Sequence, residues 1–215
     1  GARHYDAVLG RFTTNDRFAE KYYSMSPYQY GANSPVGNID VNGDSIIIKP
    51  NANGIIDQIK VLFGYDTKFQ KDVKADLFQL KQDDKKVADI IGKLEESKNI
   101  HYITMPKKGE YNSTGFNADK VKKNISQGSE IYYNPYNRRR GRNDSDMRTP
   151  RIGLAHELQH SFDVDKKVAT YERTKNGILL MDIRAINTEN RIRKVIGEPK
   201  RTMYGTQKVP KELLE

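Results

Sequence analysis

The sequence has no cysteine and no tryptophan, only 4 histidines and 8 prolines, and no long apolar run. Without Cys there can be no disulfide framework and no thiolate-ligated zinc or iron–sulfur site. The longest apolar stretches, Ile46-Ile47-Ile48 and Ile178-Leu179-Leu180-Met181, fall far short of the roughly 20 residues that span a bilayer. Hydrophobic residues are a lean 36% against 30% charged. What is present in quantity is tyrosine, 13 in 215 residues, and with the Ile and Leu this supports a core and argues against wholesale disorder. The length suits one medium domain, or one with a small appendage. Lys and Arg outnumber Asp and Glu by 37 to 28, a net charge of +9. That balance fits a nucleic-acid partner, an acidic protein surface, or plain solubility. The opening Gly1-Ala2-Arg3-His4 has neither Met nor a signal peptide's apolar core, so the expectation is a segment of a longer protein.

Local patterns divide the chain. Over residues 1–44, aromatics alternate with Gly, Asn, Asp and Pro, which reads as short extended segments joined by tight turns. Residues 66–98 place Phe69, Val73, Leu77, Leu80, Val87, Ile90, Ile91 and Leu94 at helical spacings, predicting one or two amphipathic helices. Residues 99–104 and 130–135 alternate as strands, and a Gly/Asn/Ser-rich loop from about 106 to 128 joins them. The expectation is a small antiparallel sheet around that loop. Residues 138–146 carry charge and no apolar anchor, predicting a mobile loop. Pro150 is placed to start a helix over 151–163. A last helix spans about 178–196, stopped by Gly197 with Pro199 beyond.

The chemistry concentrates in His156-Glu157-Leu158-Gln159-His160. On a helix the two His, four apart, share a face and can reach one metal ion. Glu157 is then placed to take a proton from a water at the metal, which for zinc has its pKa lowered towards neutrality. The remaining ligand has to be a carboxylate, and three compete. Asp182 lies on the following helix, Glu189 seven residues on and on nearly the same face, and Asp163 on the face of His156 and His160. One acid can bind metal while another orients a ligand His. Arg201 and Tyr204 follow that helix and are candidates to stabilise an oxyanion. His4 and His101 receive no role beyond structure. Arg138–Arg142 holds four Arg in five positions near Tyr133 and Tyr136, a pattern that suits nucleic acid. No nucleic-acid-binding motif accompanies it and Asp144 and Asp146 follow, so a solvated loop or an exosite for an acidic protein is preferred.

Two resemblances add to this. Gly1-Ala2-Arg3-His4-Tyr5-Asp6, Leu9-Gly10-Arg11-Phe12, Asn33-Ser34-Pro35 and Asp40-Val41-Asn42-Gly43-Asp44 resemble the end of the RHS-repeat-associated core, the β-rich shell that carries toxins in many bacteria. Some members cut themselves near such a junction using aspartates, which makes Asp40 a candidate, although Val41 and Asp44 replace the family's Pro and Leu. Further on, Ser129-Glu130-Ile131-Tyr132-Tyr133-Asn134-Pro135, the His156–His160 motif with its flanks, Glu189-Asn190-Arg191-Ile192-Arg193, and Arg201 with Tyr204 look like the NleD-like effector metallopeptidases over about 86–205. That resemblance implies a zinc endopeptidase delivered into other cells, with His156 and His160 as ligands and Glu157 as base. The family usually has Glu where this chain has Asp182, and commonly a His near Asp163.

Together these give an α+β chain of two parts. Residues 1–44 would end an RHS core. Residues 45–215 would form a zincin-type metallopeptidase toxin, helical over about 45–98 and catalytic over about 99–205. Zn2+, a protein substrate in the target cell, an immunity protein and the parent shell are the expected partners, with secretion or injection as the route. The rival expectation is a basic nucleic-acid-binding or nuclease-type toxin with a structural or vestigial metal site.

Overall fold

The computed structural model describes residues 5–6, 11–15, 28, 45–52, 54–141 and 144–215. Two short strands, β1 (Tyr5–Asp6) and β2 (Arg11–Phe12), pair antiparallel. Asp40, His4 and the 44/45 boundary lie outside the described residues. From residue 45 the order is β3 (Ile46–Ile48), α1 (Ile55–Leu62), α2 (Lys68–Asp83), α3 (Lys85–Glu95), β4 (His101–Thr104), β5 (Ser113–Gly115), α4 (Ala118–Lys122) and β6 (Ser129–Tyr132). There follow β7 (Arg139–Gly141), β8 (Asp144–Met147), α5 (Pro150–Asp165), α6 (Leu180–Ile196) and the hairpin β9 (Met203–Tyr204) with β10 (Gln207–Lys208). This is a mixed α+β fold. Among the described residues no helix is long and apolar enough to cross a membrane.

The helix signals act as local chemistry dictates. Thr67 and Gln70 form a reciprocal capping box on α2, and the Asp84 carboxylate caps α3 through the N–H groups of Lys86 and Val87. Pro150 opens α5. Gly197, at φ 76°, ends α6 in the left-handed conformation that a side chain would resist. All eight apolar positions anticipated between Phe69 and Leu94 are buried.

The main sheet has the order β3-β4-β6-β5. Here the antiparallel expectation is corrected. β3, β4 and β6 run parallel, with Ile46 opposite His101 and Ile103 opposite Ile131, and only β5 is antiparallel. The supposed loop between β4 and β6 contains β5 and α4, enough chain to cross over and return in the same direction. Alternation reveals a strand but not the direction of its partner. Residues 138–146 are likewise not a loop throughout: β7 and β8 pair as an antiparallel hairpin.

One sheet face is covered. Ile46, Ile48, Ile103 and Ile131 are buried under Phe69, Leu80, Ile91, Leu154 and Leu158 from α2, α3 and α5. Each such side chain contributes about 1.5–3 kcal/mol by burial. On the other face Lys49 pairs with Glu130 at 2.6 Å and lies over the Tyr102 ring. α5 runs through the centre, packed on α2, α3, α6, β5 and β6. A smaller apolar cluster, Ile178, Ile183, Ile186 and Val209, fastens the C-terminal segment to α6.

Candidate functional site

α5 is buried on nearly every side, so its polar residues need partners from the elements around it. His156 and His160 lie one turn apart and face α6. Their Nε2 atoms approach to 3.3 Å, with the rings edge-on at 75°. Asp182, in the first turn of α6, brings Oδ1 to 3.6 Å from His160 Nε2. Burial pushes its carboxyl up from the usual range, opposed by a hydrogen bond from Tyr204. Tyr204 in turn is pushed up by burial and by the Asp182 charge.

Glu189, two turns along α6, meets the other imidazole. Its Oε2 is 3.2 Å from His156 Nδ1, which leaves His156 Nε2 directed at the cleft. The carboxylate is fully buried among three guanidinium groups. Arg148 Nη1 donates at 3.1 Å, Arg193 Nη2 at 3.0 Å and Arg201 Nη1 at 2.7 Å. Burial would raise its pKa, but Arg148, His156 and Arg201 hold it well below the usual carboxylate range. Arg148 reaches Glu189 across α5 at Gly153, where a Cβ would stand 2.6 Å from Arg148 Nη2 and from Asn112 Nδ2. Asn190 clamps the segment after α6, accepting from the Arg201 N–H at 2.7 Å and donating to the Arg201 carbonyl at 3.0 Å. The Glu189-Asn190 and Arg193 block is therefore the support for His156.

Glu157 faces the same cleft. Its carboxyl is pushed up by burial, opposed by the charge of His156 and by the Thr114 hydroxyl. Thr114 Oγ1, on β5, donates to Glu157 Oε2 at 2.9 Å. Thr114 and Arg148 are the two residues that the sequence reading missed. Neither belongs to a motif, and Thr114 sat within text that read as loop.

Asp163 is not part of this group. Gln159 Nε2 at 2.7 Å and Arg184 Nε at 2.9 Å hold its carboxylate, which lines a separate cavity of about 370 Å³. It shares the His face by helical phase, but it lies a turn further along, where Arg184 captures it. Arg201 lines the cleft but is engaged by Glu189, and its guanidinium lies 5.4 Å from the Tyr204 ring centre.

The cleft has a volume of about 360 Å³ and is lined by His156, Glu157, His160, Asp182, Tyr204, Arg148 and Thr114, with apolar walls from Phe116, Tyr171, Leu179 and Met181. The donors suit zinc in kind. Burial and the nearby charges of His156 and Arg184 depress the pKa of His160, keeping it neutral as a ligand must be. The nitrogen spacing also suits it, since two bonds of about 2.0–2.1 Å at a tetrahedral angle place the nitrogens about 3.3–3.4 Å apart. The third arm is longer, and among the described residues no group of three or more His, Cys, Asp or Glu closes into a metal cage. His160 Nδ1 is buried without a partner, so the two His differ in support. No family model matches the chain, and neither does any curated protein or solved structure.

Proposed function

We propose that the chain is a zinc-dependent endopeptidase, delivered as the toxin part of a larger bacterial protein. The observation that carries the reading is the meeting of His156 and His160 Nε2 at 3.3 Å in a cleft that also holds Glu157. His156, His160 and Asp182 would hold the zinc, with Glu189 orienting His156. Bound there, zinc would polarise a peptide carbonyl and make water a nucleophile near neutral pH. Glu157 takes the proton from the attacking water and passes it to the departing amine. Thr114 fixes which oxygen of Glu157 is free to do so. Tyr204, whose phenol donates to Asp182 in the free protein, would turn that hydrogen bond to the carbonyl oxygen as it gains charge, and Arg201 supports it with positive potential from behind. Among the described residues β5 pairs on one side only, so its other edge offers a peptide main chain a ladder beside the cleft.

Delivery, an immunity protein and a parent shell rest on the resemblance of residues 1–44 to an RHS core. The rival nucleic-acid reading rests on the +9 charge and the Arg138–Arg142 run. It predicts an affinity that falls steeply with salt.

Metal analysis together with cleavage of unstructured peptides tests the proposal. The expected result is one zinc per chain in both wild type and Glu157→Gln, with cleavage lower in the variant by about 10²–10⁴-fold. Protein that takes up no zinc overturns the metal assignment, and equal cleavage by the two proteins overturns the role of Glu157.

A further inference from the structure

A second hollow adjoins the cleft at two shared residues. Asn112 and Ser113, on the cleft's β5 side, also line this more open cavity of about 760 Å³ towards the N-terminal end of β5. Met105, Tyr111 and Tyr132 form apolar walls there, with Lys107 and Glu110 exposed beside them. These walls are fixed by their own contacts. Met105 packs against the main core. Tyr132 ends β6 and donates its phenol to Glu130 Oε2 at 2.9 Å. The segment between is closed by the Lys107 N–H on Glu110 Oε2 at 3.1 Å and the Glu110 N–H on the Lys107 carbonyl at 3.0 Å. Asn112 Oδ1 accepts from the Asn134 N–H at 3.1 Å, tying the segment to the chain after β6. A preformed hollow with apolar walls holds a side chain at little ordering cost.

We propose that this hollow is a substrate subsite that selects a bulky apolar side chain three residues after the cleaved bond. The proposal rests on the peptidase reading. Thr114, bonded to Glu157, marks the level of the cut, and Tyr111 precedes it by three residues. At about 3.3 Å per extended residue the hollow lies about 10 Å from the cut. A peptide that adds to the free edge of β5 in the antiparallel sense, the more stable ladder, runs opposite to β5. The residues that reach the N-terminal end of β5 are then those on the C-terminal side of the cut. Aromatic and large aliphatic side chains fit between Met105, Tyr111 and Tyr132. A small hydroxyl side chain would leave those three walls unfilled and gain little from them.

Profiling the zinc-loaded full chain on a peptide library, with the products sequenced, tests this. Phe, Leu or Tyr at the third position after the cut is expected to be favoured over Ser by about tenfold or more. Tyr111→Ala should shrink that ratio, while Tyr111→Phe should keep it. No preference at that position, a preference on the N-terminal side instead, or a ratio that Tyr111→Ala leaves unchanged overturns the subsite and leaves the peptidase reading standing. If wild type cuts no peptide, the peptidase reading falls and binding decides the subsite. Fluorescence anisotropy of the zinc-loaded Glu157→Gln chain would then compare a Phe-bearing peptide with its Ser counterpart. Binding about tenfold tighter for Phe supports the subsite, and equal affinity overturns it.

Discussion

α5 carries two buried clusters of histidine and carboxylate, and they differ in one respect that matters. Midway along it, His156 rests on Glu189 while its Nε2 faces a cleft. At its C-terminal end, Asp165 lies 3.6 Å from His101 Nε2, and His101 Nδ1 is 2.9 Å from Ser129 Oγ. Ser97 and Asn99 also donate to Asp165, and Ser129 donates to Ser161 at 2.8 Å. On paper Asp165, His101 and Ser129 have the composition of a hydrolytic triad. In space His101 is fully buried and its neighbours nearly so, which leaves no room for a substrate. The second cluster joins the start of β4 and β6 to the end of α5. Chemistry requires an imidazole nitrogen that is both aimed and reachable, and only the first cluster supplies one.

The largest blow to this comparison would come from Glu189→Gln. Three buried guanidinium groups would lose their shared counter-charge, at a cost of about 3–5 kcal/mol in urea unfolding. Zinc affinity in a metal-buffer titration should weaken by about 10–100-fold as His156 loses its orienting partner. A variant with wild-type stability and affinity would mean that Glu189 supports nothing.

Asp165→Asn probes the sealed cluster. Burial opposes ionisation of Asp165, but His101, Lys166, Ser97 and Asn99 hold its pKa below the usual range. A carboxyl whose folded pKa lies under the unfolded value near 3.9 adds stability above about pH 4, and that share is lost as pH falls through the folded value. The substitution should therefore cost about 1–3 kcal/mol at neutral pH and flatten the acid limb of stability against pH. Unfolding curves measured from pH 7 to pH 3 check both, and an unchanged acid limb would remove Asp165 from the account.

The smallest effect is expected from Ser129→Ala. Losing one buried hydroxyl should cost about 1 kcal/mol and leave peptide cleavage by the zinc-loaded protein intact. Abolished cleavage in a folded variant would identify Ser129 as a nucleophile and reverse the roles of the two clusters.

The sequence exposed the first cluster because His156, Glu157 and His160 are local. A four-residue spacing on a helix fixes their common face whatever surrounds it. It also placed Asp182 and Glu189 on one face of α6, but not which acid would meet which imidazole, since that depends on how α6 crosses α5. Thr114 and Arg148 were invisible for a related reason. Thr114 reaches the cleft from a distant strand, while Arg148, just ahead of α5, doubles back past Gly153 to meet Glu189 on α6, and no spacing links either to the motif. The apolar face of α2 and α3 was legible from periodicity. α1 was not resolved within the helical stretch, and its Ile55, Ile56, Leu62 and Phe63 are exposed, so apolar residues there do not mark the core.

Gly153 has a consequence for how freely this site can vary. Alanine would suit the middle of α5 better by about 1 kcal/mol of helix propensity. Yet a single methyl at that position would meet the guanidinium that crosses the helix to neutralise Glu189. A position on which the aim of His156 depends thus belongs to a residue with no functional group at all. Stabilising this helix by the usual route and keeping its histidine aimed are competing demands, and the sequence has settled them in favour of the histidine.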